Sequence, residues 1–122
     1  MKLWIDDVRP APEGYEWCKS VWEAKNFINI IEDRIMWLEK TKKKYPKGTA
    51  YINDKIKESD ITIIDIDHDA GHYSCQGGDY IKLLDWLEET GRNYPIRIHS
   101  MNPVGRENMR AIIRRNGWTE VM

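Results

Sequence analysis

The sequence predicts a single α/β domain of 122 residues, built around a mostly parallel sheet of about five strands. Short, almost continuously apolar runs alternate along the chain with segments in which apolar residues recur every three or four positions. Such strands, separated by helices, are typical of a parallel sheet that is covered on both faces. The length also suits one domain with one hydrophobic core.

The first part of the chain is predicted to form two strands and a long helix. The strands are residues 1–7 and 15–20, and the loop between them contains prolines and a glycine that exclude a regular helix. Ser20 is the predicted N-cap of the helix, and Glu23 completes a capping box. Apolar residues at three- and four-residue steps extend this helix to about residue 43.

The rest of the chain is predicted to alternate strands and helices, after a lysine-rich break and a weak helical turn. The strand predicted most strongly is ITIIDID, since it is apolar and rich in isoleucine. The last long helix has Asn102 as N-cap, Pro103 in its first turn and Gly117 at its end. In chain order the predicted elements are a strand at 61–67, a helix at 77–91, a strand at 94–100, a helix at 102–117 and an edge strand at 118–122.

Composition and charge exclude several classes of protein. The 19 basic and 20 acidic residues nearly cancel, so the net charge indicates no particular partner. Cys18 and Cys75 are too few and too far apart for a disulfide scaffold or a four-cysteine zinc site. No apolar run approaches the roughly 20 residues that span a bilayer, and no signal-peptide region is evident. We therefore expect a soluble cytoplasmic protein with no membrane partner and no affinity for double-stranded DNA.

Polar side chains cluster where three of the predicted strands end. In an open α/β sheet, ligands bind outside the carboxyl ends of the strands, so we expect these side chains to converge at one edge. The candidates are Asp6 and Asp7 after the first strand, Asp65, Asp67, His68 and Asp69 around the end of the ITIIDID strand, and His99, Ser100 and Asn102 after the next one.

The chemistry of these residues points to a cation and a phosphate. Asp65 and Asp67 lie on one face of their strand, roughly 6–7 Å apart. Carboxylates that close stay ionised only where a cation neutralises them, and oxygen ligands favour Mg²⁺ or Mn²⁺. The helix that begins at Asn102 directs free backbone N–H groups towards the same edge, where Ser100 and Asn102 can donate to a phosphate.

Simpler interpretations stay open for several of these residues. A pair of acidic residues such as Asp6 and Asp7 is common where a strand leads into a loop. Asp65 can equally be a residue at the edge of the cluster that has no functional role. His72 lies in a polar loop and is most simply a solvated residue. The lysine run at 40–47 is most simply a solvated helix end, since only Tyr45 and Tyr51 accompany it for stacking on nucleic-acid bases.

The motifs IDDVRP, DIDHDAG, GGDYIKLLDWL and IHSMNPVGRENM resemble those of the receiver domains of response regulators. They resemble most closely the family described as cyclic-phosphate-processing receiver domains. The resemblance covers most of the chain except an insert at about 35–58. It implies a flavodoxin-like three-layer sandwich and an activity on cyclic phosphates.

The resemblance also implies roles for individual residues. Metal binding is implied for Asp6, Asp7 and Asp67, and Asp67 stands where an ordinary receiver has its phospho-acceptor. Ser100 takes the position of the receiver's serine or threonine. His68, Asp69, His99 and Asn102 match motifs of the cyclic-phosphate-processing family.

Two departures from ordinary receivers bear on function. The loop RPAPEG replaces the first helix, and no basic residue follows Arg115, so the lysine that contacts the acyl phosphate in receivers is missing. Two added histidines favour catalysis over reversible phosphorylation.

The sequence thus predicts a metal-assisted phosphoesterase for a cyclic nucleotide or a cyclic-phosphate RNA end. His99 is the predicted general acid or base, because its unperturbed pKa lies near 6.5, and His68 and Asp69 are the predicted catalytic partners. The alternative is a degenerate receiver that acts as a non-enzymatic signalling or phosphate-binding module.

Overall fold

The computed structural model describes all 122 residues and contains four strands and four α-helices. All strands are parallel, in the order β2-β1-β3-β4. This architecture confirms the predicted α/β class with a parallel sheet. The elements are β1 (Lys2–Ile5), β2 (Tyr15–Cys18), α1 (Val21–Lys44), α2 (Thr49–Ser59), β3 (Ile63–Ile66), α3 (Ile81–Glu89), β4 (Ile96–Ile98) and α4 (Pro103–Asn116), with short 3₁₀ helices at Pro46–Gly48 and Gly71–Cys75.

Both helices with predicted caps begin as their sequences indicate. Ser20 Oγ accepts the backbone N–H of Glu23 at 3.0 Å, as an N-cap does. The Glu23 carboxylate accepts the N–H of Lys19 at 3.2 Å, one residue before the Ser20 N–H that the predicted capping box would use. At the start of α4, Asn102 Oδ1 accepts the N–H of Gly105 at 3.0 Å. These bonds satisfy N–H groups that have no partner within the helix.

The sheet has four strands, so the prediction of about five is wrong by one. The C-terminal segment at 118–122 makes only an isolated parallel bridge, between Ile96 and Glu120. Two backbone bonds flank it, from Ile96 N–H to Thr119 and from Val121 N–H to Ile96. Because Trp118 packs into the hydrophobic core and β4 has only three residues, little of this segment remains aligned with the sheet.

The insert is a helical hairpin in which α2 packs against the second half of α1. Leu38 and Ile52 are buried between the two helices but lie outside the main core cluster. The sequence predicted only a weak helical turn here, because α2 has few apolar residues and no side-chain N-cap. No helix of the protein combines the length and the apolar character needed to cross a membrane.

The two faces of the sheet are covered differently. One face, with Leu3, Ile5, Ile64 and Ile66, packs against α1, α3 and α4 in the main core. Since side chains alternate along a strand, the other face carries Trp4, Asp65 and Arg97. A loop crosses this second face, and its Arg9 carbonyl accepts the indole N–H of Trp4 at 2.8 Å. This loop stands in place of the helical layer that the three-layer prediction puts there.

Candidate functional site

Three carboxylates meet at the carboxyl edge of the sheet and are called the acid trio here: Asp6, Asp7 and Asp67. The pairing of Ile5 with Ile66 brings the residues that follow β1 and β3 side by side. One ligand atom from each carboxylate lies within 4.8 Å of the other two. The sequence-predicted metal residues are therefore brought together.

The carboxylates of the trio differ in their electrostatic surroundings. Burial raises the pKa of Asp6, but hydrogen bonds from the N–H groups of Arg9 and Val8, both 3.0 Å, and the contact with His99 outweigh it, so that the pKa is lowered overall. The pKa of Asp7 is raised by burial and by the neighbouring carboxylates of Asp6 and Asp67. Asp7 thus lies where negative charge is poorly compensated.

A divalent cation fits this donor set. The only basic side chain paired with the trio is His99, which contacts Asp6. Three carboxylates with so little compensation offer hard oxygen ligands of the kind that Mg²⁺ and Mn²⁺ prefer. A cation there would also relieve the repulsion that raises the pKa of Asp7.

His99 is held between two buried carboxylates. Its Nδ1 lies 2.7 Å from Asp65 Oδ1 and its Nε2 lies 2.9 Å from Asp6 Oδ2. The ring stacks on Trp4 with centroids 3.9 Å apart, and its side chain is only 7% exposed. Asp65 also accepts from Arg97 at 2.9 Å. Both ring nitrogens of His99 are therefore already engaged by carboxylates.

His68 has a different environment, with one nitrogen engaged and one available. Its Nδ1 lies 2.9 Å from Asp69 Oδ1, while Nε2 makes no hydrogen bond within the protein. Its backbone N–H donates to Asp67 Oδ1 at 2.8 Å, which places it directly beside the acid trio. The ring packs so closely on α4 that a Cβ added at Gly105 would lie 2.5 Å from its Cγ.

Two further carboxylates lie close to the His68 ring. Ligand atoms of His68, Asp69 and Asp79 lie within 4.8 Å of one another. Sequence reasoning missed Asp79, whose carboxylate accepts the N–H of Ala70 at 3.0 Å and so holds the loop after β3. The only sequence feature that could have indicated Asp79 is its place in the segment GGDY, directly before α3.

Ser100 and Asn102 shape the start of α4. Ser100 is 1% exposed, and its Oγ accepts the N–H of Asn102 at 3.1 Å. The side-chain oxygen of Asn102 accepts the backbone N–H of Gly105. The Ser100 hydroxyl hydrogen and the Asn102 amide N–H groups are the donors that these side chains have left for an anion.

The remaining candidates lie outside this arrangement or support it. His72 is exposed in the 3₁₀ helix at Gly71–Cys75. No hydrogen bond joins His68 and His99, so the predicted pair of histidines is not a directly bonded one. Arg9, which sequence reasoning did not consider, donates to the backbone carbonyl of His99 at 3.0 Å. Its position directly after IDDV was the only signal.

A family model described as the cyclic-phosphate processing receiver domain matches residues 1–115. The chain belongs to this family. The match covers every residue of the acid trio, both histidines and the start of α4, and it confirms the predicted resemblance and the receiver-like α/β class. Searches among curated proteins and among solved structures found no match.

As a cyclic-phosphate processing receiver domain, the protein keeps the acidic edge of a receiver but changes what surrounds it. A loop covers the face where the first receiver helix is expected, and Arg9 in that loop ties it to β4. His68 and His99 contact different carboxylates, His68 that of Asp69 and His99 that of Asp6. The family name links this arrangement to cyclic phosphates and leaves the reaction open.

Proposed function

We propose that the protein is a metal-assisted phosphoesterase that opens a cyclic phosphate, either in a cyclic nucleotide or at the end of an RNA. The observation that carries this proposal is the contact between the acid trio and His68, through the 2.8 Å bond from the His68 N–H to Asp67. The His68 ring in turn packs against Gly105 in the first turn of α4, so that a cation site, an imidazole and a helix N-terminus adjoin one another. Membership of the family supports a cyclic phosphate as the ligand.

The acid trio is the proposed site for Mg²⁺ or Mn²⁺. When bound, such a cation stabilises negative charge that develops on the phosphoryl oxygens. The N–H of Val104 in the first turn of α4, which no protein group accepts, and the donors of Ser100 and Asn102 hold the phosphate from the other side.

His68 is the proposed general acid and base. Asp69 orients the ring through Nδ1, which leaves Nε2 to take a proton from the attacking water. As water adds to phosphorus, one ring P–O bond breaks and the leaving oxygen receives a proton. The product is a phosphomonoester beside a free hydroxyl group.

His99 receives a positioning role in this proposal. The sequence-based prediction that it transfers a proton stays a prediction, but both of its nitrogens already contact carboxylates. Its contact with Asp6 fixes the orientation of one member of the acid trio. Proton transfer by His99 would first require the loss of one of these contacts.

The alternative, a non-enzymatic receiver module, is supported by one observation. Asp67 lies partly exposed beside Asp6 and Asp7, in the position where receivers accept a phosphoryl group. The absence of a basic residue after Arg115 weighs against a stable aspartyl phosphate.

A turnover assay distinguishes the phosphoesterase from the non-enzymatic receiver module. The protein is incubated with 2′,3′-cyclic nucleotides and with RNA ending in a cyclic phosphate, in Mg²⁺, in Mn²⁺ or in EDTA. We expect turnover with either cation, loss of turnover in EDTA and in Asp67→Asn, and retention in the control Asp54→Asn, which changes an exposed carboxylate of α2. No turnover under any condition contradicts the enzyme. Labelling by acetyl phosphate that disappears in Asp67→Asn then supports the module.

A further inference from the structure

The helical hairpin contains a groove whose rim is unusually aromatic. The groove, called the hairpin groove here, has a volume of about 620 Å³ between α1 and α2. Leu38 and Ile52 form its buried floor. Trp37, Tyr45 and Tyr51 line it and are 63%, 58% and 68% exposed. Three large aromatic side chains lie open to solvent around one concave surface.

The hairpin is also the basic part of an otherwise acidic protein. Residues 34–58 contain eight basic and three acidic residues, so their net charge is +5 in a chain of net charge −1. The remaining residues therefore carry a net charge of −6. Any polyanion is attracted to the hairpin and repelled by the rest of the molecule.

Basic groups lie next to the aromatic rings. Lys55 Nζ lies 5.4 Å from the centroid of the Tyr51 ring, and Lys44 Nζ lies 5.9 Å from that of Tyr45. Arg34 lines the groove and pairs with no carboxylate of the protein, and neither do Lys43, Lys44 and Lys47. Lys55 pairs with Glu58 at 3.4 Å, so the positive charges left for a ligand are those of Arg34 in the groove and of the three lysines near the turn between α1 and α2.

We propose that the hairpin groove binds single-stranded RNA, with bases stacked on Trp37, Tyr45 and Tyr51 and phosphates held by the surrounding lysines and Arg34. Exposed aromatic faces within a basic groove are the means by which proteins bind single strands without reading sequence. An acidic peptide would use the charges but would gain little from three aromatic rings. The RNA is therefore the occupant that both features favour.

The groove is separate from the acid trio. The helix α1 begins at the carboxyl edge of the sheet, and Trp37 lies 17 residues after the N-cap Ser20, which corresponds to about 25 Å along the helix. RNA binding here consequently does not depend on the proposed phosphoesterase activity. An RNA long enough to reach both surfaces would gain affinity from the groove while presenting its end to the site.

The test is a fluorescence-anisotropy titration with a labelled single-stranded RNA of about 12 nucleotides, within the site sizes of such grooves. The RNA ends in a 3′-hydroxyl, so that binding is measured without any cyclic phosphate. We expect binding at low salt that weakens roughly 5- to 150-fold in Trp37→Ala and in Tyr51→Ala, as the loss of one stacked base predicts. Trp22→Ala is the matched control, since Trp22 is 56% exposed at the other end of α1.

The contribution of the basic side chains to RNA affinity is measured separately, from the dependence of that affinity on salt concentration. Replacing Lys43 and Lys47 by glutamine lowers the slope of log affinity against log salt by about 1.4, or about 0.7 for each lysine. The exposed Lys82→Gln leaves this slope unchanged. Circular dichroism establishes that each variant keeps its helices.

Three results overturn the inference. The first two are the absence of RNA binding at low salt and equal binding by wild type and Trp37→Ala. A polyglutamate peptide that binds as tightly as the RNA, with the same loss in Trp37→Ala, also overturns it in favour of an acidic partner. Failure of the phosphoesterase leaves RNA binding intact, and Asp67→Asn is expected to bind RNA as wild type does. Failure of RNA binding leaves hydrolysis of a cyclic mononucleotide intact.

Discussion

Nε2 of His99 lies 2.9 Å from Oδ2 of Asp6, so that an imidazole from the end of β4 is joined to the acid trio at the end of β1. The other ring nitrogen contacts Asp65 within β3, and Trp4 covers the ring face. One enclosed imidazole thereby joins residues on or directly after three strands, β1, β3 and β4. We therefore expect His99 chiefly to hold the acid trio and the strand ends in place.

The first prediction concerns stability. His99→Gln removes the ring that contacts both buried carboxylates, so Asp6 loses its only basic partner while Asp65 keeps Arg97. We expect a loss of about 3–5 kcal/mol in the free energy of unfolding, as for other broken buried pairs. Urea denaturation followed by circular dichroism measures it. His72→Gln is the control, because His72 is exposed, and it should change stability by less than about 0.5 kcal/mol. Equal stabilities of the two variants would contradict the contacts described for His99.

The second prediction concerns proton transfer. His68→Gln should lower kcat for a 2′,3′-cyclic nucleotide by about 10²- to 10⁴-fold, the usual contribution of a general acid or base. The free energy of unfolding should change much less than in His99→Gln, since His68 has a single, exposed carboxylate partner. The prediction is contradicted if His68→Gln keeps full turnover. If His99→Gln is then folded but inactive, His99 and not His68 is the residue that transfers the proton.

The third prediction uses the close contact between α4 and His68. A methyl group in Gly105→Ala would lie 2.5 Å from His68 Cγ, so either the ring or the helix must shift. We expect a destabilisation of about 1–3 kcal/mol and a fall in kcat, as overpacking costs that much elsewhere. Gly48→Ala is the matched control, because its added Cβ meets only Ile52 at 3.7 Å. Wild-type kcat in Gly105→Ala would show that the position of the His68 ring is unimportant.

The fourth prediction concerns a polar cluster far from the site. Arg92 donates to both carboxylate oxygens of Glu32, at 2.9 and 3.0 Å from Nε, and Tyr94 donates its hydroxyl to the same carboxylate. Burial raises the pKa of Glu32, but these bonds outweigh burial and the pKa is lowered from 4.5. The resulting stability is present above pH 4.5 and is lost as the pH falls through the lowered value.

Glu32→Gln should therefore be less stable than wild type by about 1.5–3 kcal/mol at neutral pH, the range for hydrogen bonds to a charged group. The difference should shrink on acidification below pH 4.5. Denaturant unfolding at a series of pH values measures it. The surface pair of Glu39 with Lys42, broken in Glu39→Gln, should be worth less than about 1 kcal/mol. A difference for Glu32→Gln that persists unchanged in acid would show that the pKa of Glu32 is not lowered.

The sequence predicted the strands and most helices because local patterns determine them. Ser20 and Asn102 cap their helices as expected, and the carboxylates after β1 and β3 meet because the strands are parallel. The helix α2 was underestimated, since it is stabilised by packing on α1 rather than by its own apolar pattern or cap.

Contacts between side chains distant in the chain were not predictable. Asp65 appeared marginal in the sequence, yet it is fully buried and bonded to His99 and Arg97, 34 and 32 residues away. Only the register of β3 against β4 places Asp65 opposite Arg97. For the same reason the sequence could not distinguish the enclosed His99 from His68, whose Nε2 has no protein partner.

The most direct test of the central claim is the rate of hydrolysis of a 2′,3′-cyclic nucleotide as Mn²⁺ is titrated into metal-free wild type and Asp7→Asn. The acid trio predicts saturable activation in wild type and in the control Asp54→Asn, and a rate that stays near zero in Asp7→Asn at the same concentrations. Hydrolysis by wild type that is independent of Mn²⁺, or identical activation of wild type and Asp7→Asn, would contradict it.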